Sequence, residues 1–147
     1  MEYVSGASDS DECIFCSGLE AEDDGTSHIL HRGPKTFVIL NAFPYNPGHL
    51  MVAPNRHAGD ITDLEPDERA EVMEMTSQSV AIVRDALAPD GFNIGVNLGR
   101  VAGAGIPGHW HVHVVPRWDG DTNFMPVVGQ TKVLPEMLAD TDAKLRP

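Results

Sequence analysis

The chain has 147 residues, enough for one domain with a real core. Its formal charge of -12 argues against nonspecific binding to nucleic acid or anionic membrane, and no run approaches the roughly 18 to 20 apolar residues of a membrane span. The acidic N-terminus lacks a signal peptide's basic start and apolar centre, and two cysteines at C-x-x-C spacing imply no secreted disulfide framework, so the expectation is a cytoplasmic protein with neither membrane nor nucleic-acid partners.

Residues 1–12 have no hydrophobic period and read as a flexible acidic tail, leaving 13–147 as a single domain. Cys13 and Cys16 follow; at this spacing they can clasp zinc from one turn, form a redox pair, or remain free thiols. Residues 17–27 read as a polar connection. His28–His31 and Lys35–Leu40 read as two strands turning at Arg32-Gly33-Pro34, and His49–Ala53 as a third, ended by Pro54.

One long helix begins at Pro66. Asp67 and Glu68 suit its positive end, and Ala70, Met73, Val80, Val83 and Leu87 recur at helical spacing as its expected core stripe. Ala88-Pro89-Asp90-Gly91 stops it. Phe92–Leu98 is a fourth strand, Gly99–Gly108 a glycine-rich loop, and Trp110–Pro116 a fifth strand, followed by an apolar piece at Phe124–Val128 and a short helix over about Leu134–Leu145. Three strands, a helix and two strands with mostly short connections predict an α+β fold: a five-stranded antiparallel meander sheet with one long helix on a face and a short C-terminal helix.

The charge is unevenly spread. All 22 acids fall within residues 1–24, 60–90 and 119–147, whereas 25–59 and 91–118 hold none, yet carry Arg32, Lys35, Arg56, Arg100, Arg117 and all seven histidines. An acidic chain that clears carboxylates from these windows is built to admit a small, highly charged anion.

The densest chemistry is His109-Trp110-His111-Val112-His113. In a strand, alternate side chains share a face, so the three imidazoles project one way and Trp110, Val112 and Val114 the other. A purely structural role would set three donor-bearing rings against a core with no reason to hold them. Two readings remain: metal ligation with an open position for hydroxide, and nucleophilic catalysis by the middle imidazole.

The triad, continuing through Val114-Val115-Pro116-Arg117-Trp118, resembles the signature of the histidine-triad (HIT) superfamily of nucleotidyl hydrolases and transferases. The resemblance extends to Cys13-Ile14-Phe15-Cys16, to Pro44 through Pro54, to Asn55-Arg56-His57 and to Asn97-Leu98-Gly99. The Tyr45–Leu50 and His113–Trp118 forms look most like the branch that includes bacterial diadenosine tetraphosphate phosphorylases.

The resemblance implies this α+β fold as a homodimer with joined sheets, and an enzyme that attacks the α-phosphate of adenine nucleotides such as diadenosine polyphosphates. It makes His111 the nucleophile that carries AMP, His113 a phosphate hydrogen-bond donor, and His49 a neighbour of the catalytic centre. It puts Asn97 near the α-phosphate and Asn41 near the ribose, where many members carry an acid. Gly99, Gly103, Gly105 and Gly108 would let backbone approach phosphate, and Phe37, Ile39, Phe43 and Leu50 could line the purine pocket. In zinc-bearing members the paired cysteines are joined by two histidines, here Cys13, Cys16, His57 and His109, giving a closed structural site.

One departure bears on substrate. Phosphoramidase-type members place a hydroxyl residue before the triad to protonate the leaving group; here Ala104-Gly105-Ile106 stands there, and Ile106 cannot donate a proton. This weighs against an adenosine phosphoramidate hydrolase. A nucleotide-binding module with little catalysis, and a hydrolase using the triad as metal ligands, are also compatible with the residues.

Overall fold

The computed structural model describes residues 13–121 and 138–146. The acidic tail and the apolar piece at 124–128 lie outside these.

Strands β1 (Ile29–Arg32), β2 (Thr36–Leu40), β3 (Leu50–Pro54), β4 (Gly91–Gly95) and β5 (Val112–Arg117) form one antiparallel sheet in the order β1-β2-β3-β5-β4. The meander runs through β3. Between β3 and β4 the chain makes a long helix, and the returning β4 takes the edge, so that β5 fills the central place beside β3 and the triad lies mid-sheet. Two short helices, α1 (Ile14–Glu20) and α2 (Asp24–Ser27), precede the sheet where the sequence reads as a polar connection. The long helix α3 spans Pro66–Leu87 and the C-terminal helix α4 spans Leu138–Leu145.

Strand alternation sorts the side chains into two cores. Val38, Leu50, Val52, Trp110, Val112 and Val114 face α3, packing on Val72 and Val83. Phe37, Ile39, Met51 and Ala53 face the other way and are covered by Cys13 and Phe15 of the α1 segment. The triad histidines alternate with Trp110, Val112 and Val114, so they belong to this second side, as the strand pattern requires.

Helix α3 starts on a capping exchange, the Glu65 N–H donating to Glu68 Oε1 at 2.8 Å. It ends at Ala88, whose backbone is left-handed (φ 49°) and whose N–H reaches the Arg84 carbonyl. Its buried face differs from the expected stripe. Glu68, Val72, Thr76, Ser79 and Val83 are buried, whereas Ala70, Met73 and Leu87 are not and Val80 is half-buried. Apolarity alone misleads here because small hydroxyl residues can face a sheet at close range. The Thr76 hydroxyl is satisfied within the helix by the Val72 carbonyl at 2.7 Å.

A side-chain clamp ties α3 to β2: Glu71 accepts from the Lys35 N–H (2.8 Å) and the Thr36 hydroxyl (2.7 Å). Gly48, at φ 83°, turns the chain into β3 in a left-handed conformation that favours glycine, with the tip of the exposed Leu87 side chain close by.

Candidate active site and metal centre

The three imidazoles have different environments. His109 is fully buried; its Nε2–H donates to the Pro54 carbonyl at 2.7 Å, which leaves the Nδ1 lone pair facing Cys13 Sγ (3.4 Å) and Cys16 Sγ (3.6 Å). Cys16 Sγ is also 3.4 Å from His57 Nδ1, and all four ligand atoms lie within 4.8 Å of one another. Tetrahedral zinc with its usual bond lengths separates sulfur and nitrogen ligands by about 3.5 Å, so Cys13, Cys16, His57 and His109 fit a closed Cys2His2 zinc centre. Bridging α1, the segment after β3 and the strand of the nucleophile candidate, such an ion supplies cross-linking rather than a reactive position.

His111 donates Nδ1–H to the His109 carbonyl at 2.8 Å. A carbonyl can only accept, so the proton is on Nδ1 and the Nε2 lone pair is free. Phe15 holds the ring edge-on, with centroids 5.1 Å apart. Burial lowers the pKa of His111, against the opposing bond to the His109 carbonyl, and keeps the ring neutral.

His113 closes a relay that runs backward through the sheet. The Tyr45 backbone N–H donates to His49 Nδ1 at 3.2 Å, so His49 carries its proton on Nε2 and donates it to His113 Nδ1 at 2.9 Å. His113 is therefore protonated on Nε2, a neutral donor beside His111, whose ring centroid lies 4.9 Å away. Burial, with a smaller push from His111, takes the His49 pKa down to about 4; burial, then His111 and His49, take His113 down to about 3.

Both rings are thus neutral in the fold and protonated only well below the ordinary value near 6.5. A depressed histidine pKa gives stability that is fully present above about pH 6.5 and lost as pH falls through the folded values near 4 and 3. The urea midpoint should therefore fall steeply between about pH 6.5 and 4, and a His49→Gln, His113→Gln double variant should show a shallower slope across that window. An unchanged slope would contradict the buried neutral pair.

Against this face opens a cavity of about 370 Å³, lined by His111 and His113 and by the apolar Ile14, Phe15, Ile39, Phe43, Met51 and Ile106. Asn41, Gly103 and Gly105 also line it. Asn41 Oδ1 accepts from the Phe43 N–H at 2.8 Å, and its Nδ2 lies 3.5 Å from His49. Asn97 is half-buried and is not among the cavity's lining residues; its amide donates to the Gly103 carbonyl at 3.4 Å. Of the four expected purine contacts, Ile39 and Phe43 line the cavity and two do not. Leu50 packs into the core under α3, and Phe37 lies fully buried behind Phe15. One-residue alternation decides this, since Leu50 and Met51 point to opposite faces and Met51 is the one in the cavity.

Phe15, Ser27, His28, Tyr45 and Met51 also line the cavity, and the sequence alone does not single them out. Phe15 and Ser27 belong to helices without a sequence signature, and Tyr45 acts through its backbone and by stacking on His49, with ring centroids 4.5 Å apart.

An α+β sheet presenting one histidine to a Cys2His2 centre and two to an apolar cavity defines a histidine-triad protein. The chain belongs to the HIT family, whose domain profile, HIT domain, matches residues 22–120. It is 46% identical over 113 residues to the AP-4-A phosphorylase of Mycobacterium tuberculosis, covering 77% of this chain and 58% of that one, so the chain spans little more than half the length of that relative. Among solved structures it resembles a histidine triad nucleotide-binding protein from Sulfolobus tokodaii (29% identity, TM-score 0.65, 84% of this chain and 77% of that one). It also resembles a zinc-bound histidine triad family protein from Mycobacterium smegmatis (29% identity, TM-score 0.67, 83% and 91%).

Proposed function

We propose that the protein is a nucleotidyl transferase that cleaves dinucleoside polyphosphates through an adenylylated His111. The observation that carries this reading is the free Nε2 of a neutral, buried His111 lining a cavity large and apolar enough for a nucleoside. The similarity to an AP-4-A phosphorylase supports the substrate class.

In the first step His111 Nε2 bonds to the α-phosphorus as the bridging P–O bond breaks, and the remaining nucleotide leaves as an anion. In the second, an oxygen of water or inorganic phosphate bonds to the same phosphorus as the N–P bond breaks, releasing AMP or ADP. The carbonyl of His109 holds the Nδ1 proton throughout, and stabilises positive charge as the ring becomes phosphorylated. His113 Nε2–H, fixed by the His49 relay, donates to a non-bridging oxygen, while backbone at Gly103 and Gly105 permits close approach. Asn41 is the candidate ribose contact. Ile106 lines the cavity where a proton donor would serve a poor leaving group, which favours a polyphosphate over an amine.

The reading includes a cytoplasmic homodimer. Edge strand β4 has no outer partner among the described residues, and it and the segment that follows expose Ile94, Val96 and Leu98, a surface suited to pairing with a second copy into a continuous sheet. No helix among the described residues is long and apolar enough to cross a membrane.

Incubation with diadenosine tetraphosphate, with and without phosphate, should give ADP and ATP only when phosphate is present. AMP and ATP instead would make the enzyme a hydrolase of the same class. Failure to turn over the dinucleotide, with rapid hydrolysis of adenosine phosphoramidate, would overturn the substrate class.

A further inference from the structure

The proposed reaction leaves a charge unanswered. The departing nucleotide carries several negative charges on a protein whose formal charge is -12, yet among the described residues no lysine or arginine lines the cavity around His111. Other cations among the described residues are committed. Arg32, Lys35, Arg56 and Arg117 pair with Asp24, Asp67, Glu68 and Asp121. Arg69 donates to the Leu64 carbonyl and Arg84 lies over the Phe92 ring, while Lys144 and Arg146 also have partners.

Arg100 is the exception. Among the described residues its guanidinium has no acid and no hydrogen-bond acceptor, and it is exposed. It opens a short 3-10 turn, Arg100–Ala102, whose middle residue Val101 is completely exposed, so that this turn presents its side chains outward rather than packing them. Glycines at positive φ stand at both ends, Gly99 (φ 84°) and Gly103 (φ 94°), and the turn is closed by the Gly103 N–H on the Arg100 carbonyl at 3.0 Å. Gly103 itself lines the cavity beside His111 and His113. An arginine with no partner among the described residues is thereby held, by one backbone hydrogen bond, three residues from a glycine that lines the cavity, in the 91–118 window that holds no acid.

We propose that Arg100 binds the phosphate chain of the leaving nucleotide, beyond the α-phosphate held by the triad, and so selects polyphosphate substrates. Guanidinium suits this role because it offers several donors in a planar fork and stays charged at any working pH. The inference rests on the nucleotide-transfer reading above and adds the residue that sets its leaving-group preference. The anion that enters for phosphorolysis approaches from the side the leaving group vacates, so the same side chain meets inorganic phosphate.

Calorimetric titration of the metal-loaded protein with AMP and with ATP tests this apart from turnover. The wild type should bind ATP more tightly than AMP; Arg100→Ala should lose about tenfold in ATP affinity with at most about a twofold change for AMP, and Arg100→Lys should recover part of the difference. In steady state, Arg100→Ala should raise the KM for diadenosine tetraphosphate and for phosphate by more than it lowers kcat. Equal losses for AMP and ATP, or no loss for either, would overturn the role of Arg100 while leaving the catalytic reading intact. A wild type that binds neither nucleotide would overturn that reading and this inference together.

Discussion

His111→Asn should abolish turnover of diadenosine tetraphosphate, with a fall in kcat of about 10⁴-fold or more, equivalent to about 5 kcal/mol of barrier. Asparagine is smaller than histidine but can keep a donor near the His109 carbonyl, the polar bond that fixes residue 111. The variant should therefore fold and still bind AMP, separating lost nucleophilicity from lost structure. His113→Gln should cost less, on the order of 10²-fold, because it removes a hydrogen bond to phosphate and leaves the attacking nitrogen in place. Activity within tenfold of wild type in the His111 variant would mean that no covalent bond forms at this position.

The second large effect is expected from metal removal. Cys13, Cys16, His57 and His109 join three segments far apart in sequence, and the second core, with Phe15 and Phe37 at its centre, is closed by the segment the cysteines hold. Chelation should lower Tm by on the order of 10 °C, because a ligand bound only in the folded state contributes its binding free energy to stability. It should also loosen Phe15 against His111, so that the metal-free protein binds AMP less tightly. A Cys13→Ala, Cys16→Ala variant should show a similarly low Tm with no further response to chelator. Identical melting of metal-loaded and chelated protein would remove zinc from the account.

The triad is legible in the sequence because strand alternation is a strong constraint. Once Trp110, Val112 and Val114 are assigned to a core, His109, His111 and His113 have only the other face. The zinc set is legible by resemblance rather than by spacing, since C-x-x-C alone fits several chemistries. The face of α3 is hidden because Thr76 and Ser79 carry part of the buried stripe, and a hydroxyl that bonds back to its own helix leaves no apolar signal. Leu50 misleads for a related reason. Its type suits a purine pocket, but its register beside Val38 and Val52 sends it under the helix. Helix α1 has no clear periodicity in its seven residues, and Phe15 is hidden with it. The sheet order also has no local signal, because β4 reaches the edge through the path of α3, which depends on how the whole helix packs.

Rapid quenching of the wild-type protein during turnover of diadenosine tetraphosphate, followed by intact-mass and peptide analysis at neutral to alkaline pH, reads the central claim directly. An adenylyl group should be found on the peptide containing His111, absent in His111→Asn and discharged on adding phosphate. A protein that turns over substrate at full rate with no adduct under any quench, or with the nucleotide on another residue, would contradict it.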